Sequence, residues 1–227
     1  QVRWREPLGQ ALMLALAAFV AALVALPVVA LMLRVPPGTL LAQLGNPSVQ
    51  EALWLSLTTS VAAALVSLVI GLPMAHLLAT RGFPGKRVLE ILMDLPMVIP
   101  PTVAGFALLM AFGRAGLLGG TLTAFGISLP FTTAGVVLAQ VFMAVPFFVG
   151  AARAGFSAVD PRYLDAAATL RAGEMHTLWR VRLPLALPSL VAGLGMAWAR
   201  ALGEFGATIT FAGNLAGVTR TVPLDVY

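Results

Sequence analysis

Uncharged apolar runs of 17 residues or more recur along this chain, and runs of that length leave few folds open. A hydrocarbon core of ~30 Å takes about 20 helical residues to cross, and lipid offers the backbone no hydrogen-bond partners. Each run must therefore satisfy its own backbone as a helix. An outer-membrane barrel is excluded, because its strands alternate apolar and polar residues over segments of ~10 residues, whereas these runs are continuous. Composition agrees: 59% of the 227 residues are hydrophobic, 10% are charged, and the mean hydropathy is +0.95. A soluble domain of this size needs more polar surface. The fold class is all-α, a polytopic transmembrane helical bundle forming a single domain over residues 1–227.

Five spans are predicted. The first covers Leu8–Leu33, with a kink at Pro27, and a polar link, RVPPGTLLAQLGNPSVQE, leads to the second at Ala52–Thr80. RGFPGKR (81–87) is a tight basic turn. The third span, Leu95–Phe112, follows an amphipathic stub, VLEILMD. A glycine-rich loop, Gly113–Leu129, precedes the fourth span at Phe131–Ala152, and the fifth starts at Pro184 and reaches at least Ala199. The first run is too long for a signal-peptide core and is read as a retained span.

The basic residues report topology. With a cytoplasmic N-terminus, the inside segments hold Arg3, Arg5, Arg81, Lys86, Arg87, Arg153, Arg162, Arg171, Arg180 and Arg182. The outside segments hold Arg34, Arg114 and Arg220, while Arg200 falls in or near a span. Ten against three is a positive-inside bias, so the pI near 11.0 does not indicate nucleic acid. With no cysteine, disulfides and thiolate chemistry are excluded.

Between the fourth and fifth spans lies a charged island, DPRYLDAAATLRAGEMHTLWRVRLP (160–184). Seven charges in this stretch require water, so it can dock a soluble partner. Asp160-Pro161 is a helix start, since Asp caps free N–H groups and Pro fits the first helical position. Ala166, Ala167 and Ala168 let a partner's surface approach the backbone, with Leu164 and Leu170 as anchors. Gly173 is the expected stop, because glycine tolerates the left-handed conformation. A second short helix, about Glu174–Arg182, is expected to carry Leu178, Trp179 and Val181 toward the membrane.

This island resembles the cytoplasmic coupling loop of ABC-importer permeases, whose pattern is Glu-Ala-Ala, three residues, Gly, nine residues, Ile, one residue, Leu-Pro. Here it reads Asp165-Ala166-Ala167, Arg171, Val181 and Leu183-Pro184, with the spacing kept and Asp and Arg replacing Glu and Gly. ARALGEFGATITFAGN (199–214) and DLPMVIPPTVAGFALLMAFGRAGLLG (94–119) resemble the molybdate/tungstate importer permeases, and sulfate permeases share a related Gly-Glu-Phe-Gly-Ala stretch. The resemblance implies a type I importer permease fold, closed by a sixth span beyond the C-terminus. It further implies that residues 155–183 couple to an ATPase through Asp165, Ala166, Ala167, Leu170, Arg171, Gly173, Leu183 and Pro184. The implied partners are two cytoplasmic ATP-binding subunits, an extracytoplasmic oxyanion-binding protein and a second permease copy, in a bacterial or archaeal cell membrane. ATP and Mg²⁺ belong to the ATPase; the chain itself is expected to hold no cofactor, no metal and no catalytic residue, and to bind no nucleic acid.

A second set of residues concerns the path. Pro96, Pro100 and Pro101 break the backbone ladder within a span, which is tolerated where the backbone lines protein or water; the break can be a hinge or a static kink. Arg200 and Glu204 stand four apart on one helical face and can pair. Either they form a weakly attractive surface for an anion or they lock the fifth helix near an outer gate. Thr208 and Thr210 can donate hydroxyl hydrogen bonds. Gly193 and Ala197, beside Gly195, form a small-residue face for core packing or a dimer contact.

Other patterns carry less. GFPGKR lacks the spacing and hydroxyl of a phosphate loop, and His76 and His176 lack metal-ligand spacing. A secondary carrier would show ion-coupling acids and paired repeats, and an intramembrane enzyme would need a nucleophile–base or metal set; neither pattern is found. A permease for sulfate or another solute is the alternative within the same class.

Overall fold

The structure, a computed structural model, describes residues 7–34 and 36–226. Arg3 and Arg5 of the charge count lie outside the described residues. Contacts divide the chain into two compact units, Gln1–Gln50 and Glu51–Tyr227.

In the first unit, α1 (Pro7–Arg34) runs as one helix through Pro27. Its 28 residues span ~42 Å at 1.5 Å per residue, more than a hydrocarbon core requires. A short helix, α2 (Pro37–Leu44), opens with proline at its first position and ends at Gly45. The Asn46 side chain then accepts from the Ser48 N–H at 3.1 Å, starting α3 (Pro47–Thr80).

The second unit is built around α7 (Thr133–Ser157), whose start is capped by Thr132 accepting from the Gly135 N–H. Preceding it are α4 (Lys86–Val98), α5 (Pro101–Phe112) and α6 (Gly119–Ala124). Following it are α8 (Pro161–Thr169), α9 (Glu174–Thr177), a π turn (Leu178–Arg182), α10 (Leu183–Leu202), α11 (Gly206–Ala212) and α12 (Val222–Asp225). Among the described residues there is no strand.

Small residues set how closely α7 is approached. A Cβ on Gly193 of α10 would stand 2.8 Å from the Ala151 Cβ, and one on Gly155 of α7 would stand 2.5 Å from the Ser189 Cβ. Gly71 of α3 faces Phe148 in the same way, 2.7 Å from its ring. Without a hydrophobic drive between helices in lipid, such close packing is what holds them together. Ala63, Ala75, Leu78, Ala144, Phe148, Ala152, Phe156, Ala186, Leu190 and Ala197 form this core. Gly193 and Ala197 are therefore core packing, while Gly195 is exposed. A second cluster joins α5, α7 and α11 through Ala104, Leu108, Ala139, Met143, Ala207 and Phe211.

Among the described residues, four helices are long and apolar enough to cross a membrane: Gly9–Arg34, Pro47–Thr80, Thr133–Ser157 and Glu174–Leu202. The predicted third span differs. Ile99 and Pro100 are extended (ψ 142° and 139°), so the helix breaks into α4 and α5, and α5 at 12 residues covers only ~18 Å. The physical reason is the Pro100-Pro101 pair, which removes two N–H donors and forces the preceding residues out of the α region. Glu174–Arg182 is also corrected: it is no separate helix but runs through the π turn into α10 without a break at Pro184. Pro184 follows directly on the π turn, so its missing N–H falls where the regular i→i+4 ladder is already interrupted.

Candidate functional site

The polar hairpin is α8, its turn and α9. Asp160 accepts from the Arg162 N–H at 2.9 Å, the cap the sequence predicts, with Pro161 at the first position. The helix stop is not at Gly173. Arg171 takes a left-handed φ of 54°, whereas Gly173 is extended at φ −66°, ψ 160° and heads α9. The Ala172 N–H donates to the Ala167 carbonyl at 3.0 Å and the Arg171 N–H to the Ala168 carbonyl at 2.9 Å, the paired bonds of a Schellman ending. The turn thus stays where the resembling family has glycine, and arginine adopts the glycine conformation.

Exposure also sorts the hairpin residues. Asp165, Ala166 and Ala168 face outward, but Ala167 is buried and holds the helix down. Leu164 is half-buried as an anchor; Leu170, at the helix end, is 82% exposed and anchors nothing. Arg171, Gly173 and Pro184 are exposed, and Leu183 packs with Leu178 on the bundle core. Trp179 is 61% exposed. Tyr163, Ala166, Leu170, Arg171 and Val181 border one concavity of about 540 Å³ on this hairpin. The structure therefore brings most of the predicted coupling residues onto one face.

Two ion pairs join different elements near the span ends, and neither was anticipated. Arg81, at the end of α3, donates through Nη2 to both oxygens of Glu174 at 2.5 and 2.6 Å. Arg153 near the end of α7 lies 3.2 Å from Glu90 of α4. The members are 93 and 63 positions apart, so no local spacing signals them; only their shared place at span ends does.

The second group lies where α10 gives way to α11. Glu204, 1% exposed, sets Oε2 2.5 Å from Arg200 Nη1 and accepts from the Ala207 N–H through Oε1 at 2.7 Å. One carboxylate thus ties the end of α10 to the first turn of α11. Gly206 packs on the double proline: a Cβ there would lie 2.7 Å from the Pro101 Cβ. Pro101, Glu204 and Gly206 are therefore neighbours, while Pro100 is exposed one residue away. Thr208 is fully buried, and its hydroxyl has no hydrogen-bond partner among the described residues. Thr210 spends its hydroxyl on the Gly206 carbonyl at 2.9 Å. Not foreseen was the Trp198 indole donating to the Ser60 hydroxyl at 3.1 Å, a pairing of α10 with α3.

His76 meets the edge of Phe156 at 5.4 Å and 78°, and His176 is exposed on the hairpin.

Long apolar helices, a proline-broken segment and a polar hairpin define an integral membrane helical bundle. The sequence pattern of binding-protein-dependent transport system inner membrane components matches residues 67–224. The chain is 48% identical over 204 residues to the molybdenum transport system permease protein ModB of Mycobacterium tuberculosis, covering 90% of this chain and 77% of that protein. It is 36% identical over 200 residues to the molybdate/tungstate transport system permease protein WtpB of Pyrococcus abyssi, covering 87% and 75%. With the sulfate transport system permease protein CysT of Escherichia coli it shares 37% over 182 residues, covering 80% and 66%. A bacterial ABC transporter involved in import of the polysaccharide alginate superposes with a TM-score of 0.76 at 13% identity, over 97% of this chain and 82% of that one, a likeness of fold alone. The chain belongs to the family of binding-protein-dependent transport permeases, as an integral membrane component.

Proposed function

We propose that this chain is the permease subunit of an ATP-driven importer of molybdate and tungstate. The observation that carries the substrate is the 48% identity, across nine-tenths of the chain, to a molybdenum transport permease. The hairpin supports the coupling: a rigid, capped α8 presents Asp165, Ala166, Leu170 and Arg171 to a soluble ATPase. Two such ATPase subunits hold ATP and Mg²⁺ and perform the hydrolysis. A second copy of the permease completes the path, and an extracytoplasmic binding protein delivers the oxyanion. The N-terminus and the hairpin lie in the cytoplasm, as the distribution of basic residues favours.

In this reading the junction of Pro101, Glu204 and Gly206 is the gate. Glu204 is neutralised by Arg200, so a passing dianion meets neither a strong trap nor a bare carboxylate. Thr208, in the first turn of α11, brings a hydroxyl to the same region.

The test is ATP-dependent uptake of labelled molybdate into proteoliposomes holding the permease, its ATPase and its binding protein. Suppression by tungstate but not by sulfate supports the reading. Uptake of sulfate in place of molybdate keeps the class and overturns the substrate, the outcome that the likeness to CysT makes specific. No uptake, with no ATPase retained on the permease, rejects the coupling role.

A further inference from the structure

Beside the hairpin, two adjoining hollows of about 320 and 580 Å³ share His76, Thr80, Arg81 and Glu174. The first mixes polar and apolar lining, adding Thr177 and Arg182 together with Leu164, Ala168 and Ala172. The second is lined by Leu72, Leu77, Met175, Leu178 and Trp179. The second lies between the end of α3 and the segment from α9 to the start of α10, and the first extends from there to α8. From Arg81 to Leu72 the groove descends nine residues of α3, ~14 Å. That is the depth of one leaflet of a ~30 Å core. Leu77, Met175 and Trp179 are exposed along its open side.

Charge sits at one end only. Glu174 engages Arg81 through Nη2 alone, which leaves the other guanidinium donors of Arg81 without a carboxylate. No carboxylate among the described residues lies within 4 Å of Arg182. The hydroxyls of Thr80 and Thr177 already donate to the His76 and Gly173 carbonyls, which leaves the two arginines as the charged donors, beside His76 Nδ1, which has no hydrogen-bond partner among the described residues. A basic mouth above an apolar slot one leaflet deep matches an anionic lipid headgroup above an acyl chain, and the exposed Trp179 is of the residue type enriched where headgroup meets chain. A free phosphate or oxyanion would leave the apolar slot unused.

We propose that this groove binds an anionic glycerophospholipid, its phosphate on Arg182 and Arg81 and one acyl chain along Leu72, Leu77 and Trp179. The site goes beyond the transport reading and holds whichever solute is carried; with the N-terminus cytoplasmic, the lipid belongs to the inner leaflet.

The test is native mass spectrometry of the purified full chain offered phosphatidylglycerol or phosphatidylcholine with identical acyl chains. The wild type is expected to retain phosphatidylglycerol about fivefold more than phosphatidylcholine, the scale of one basic contact near a membrane surface. Arg182→Gln removes that preference, Arg182→Lys restores most of it, and Arg114→Gln, outside the groove, leaves it unchanged. Leu72→Trp, which fills the slot without altering charge, lowers retention of both lipids. Equal retention of the two lipids by the wild type overturns the proposal, as does an Arg182→Gln variant that keeps the preference. Displacement of the lipid by inorganic phosphate alone overturns it in favour of a free-anion site. Loss of self-association rather than of lipid in Leu72→Trp makes the groove a protein contact and also overturns it. Each result is independent of molybdate uptake, so failure here does not bear on the transport reading.

Discussion

Arg171 and Glu204 are two positions at which a single residue bears strongly on local structure. Arg171 sits at φ 54°, where an L-residue other than glycine is strained by roughly 1–2 kcal/mol. Glycine there would give back part of that through its freer unfolded chain, about 0.5–1 kcal/mol. Arg171→Gly is therefore expected to stabilise the protein by a net ~0.5–1 kcal/mol, seen as a raised unfolding midpoint in detergent; a lowered midpoint would mean that the arginine side chain holds the turn. Glu204 is the converse case, since its carboxylate serves two donors at once. Glu204→Ala leaves the Ala207 N–H and the Arg200 guanidinium without their acceptor, and is expected to cost roughly 3 kcal/mol in stability. An unchanged midpoint would show that the pair holds nothing. From the sequence, the i,i+4 spacing of Arg200 and Glu204 was enough to foresee their pairing. The left-handed turn at Arg171 was not legible, because the neighbouring Gly173 carries the stronger local signal and only the Schellman bonds reveal which residue turns.

At the scale of elements, the hairpin and the broken helix carry the functional claims. Ala166 is exposed on α8 and Ala167 is buried, so only the first gives a clean test of docking. Ala166→Glu is expected to leave folding intact while lowering transport per ATP hydrolysed by tenfold or more, on the order of an interfacial repulsion of ~1.4 kcal/mol. Ordinary coupling in that variant would remove α8 from the docking surface. At the other end, Gly206→Ala pushes a methyl group against Pro101 and the Thr102 backbone, at 2.7 and 3.2 Å. Neither neighbour is the far end of a flexible side chain, so α11 must move off α5. Uptake is expected to fall while the ATPase stays bound, checked by co-purification alongside transport. The prolines made this break readable in the sequence. The partner of the break was not readable, because a glycine 105 positions from Pro101 announces its contact only when α11 is folded back.

At the scale of the whole molecule, topology is testable because the chain has no cysteine of its own. Lys86→Cys is expected to react with an impermeant thiol reagent only from the cytoplasmic side, and Arg114→Cys only from the opposite side. Reversed labelling would invert the orientation and move the hairpin away from any cytoplasmic ATPase. What the sequence determined by itself was the solvent: apolar runs too long and too continuous for water dictate helices in lipid, and a charged island between two of them dictates a segment outside it. The cap at Asp160 and the break at Pro100-Pro101 followed from local backbone chemistry alone. Only the tertiary structure decided which helices touch and which residues join the site. Glu90 with Arg153, Arg81 with Glu174, Ser60 with Trp198 and Pro101 with Gly206 are pairs whose members sit on different elements. In lipid, where every apolar face is equally at home, partner choice rests on close packing of small residues and on a few polar contacts, and those are properties of surfaces brought together in space rather than of any one stretch of chain.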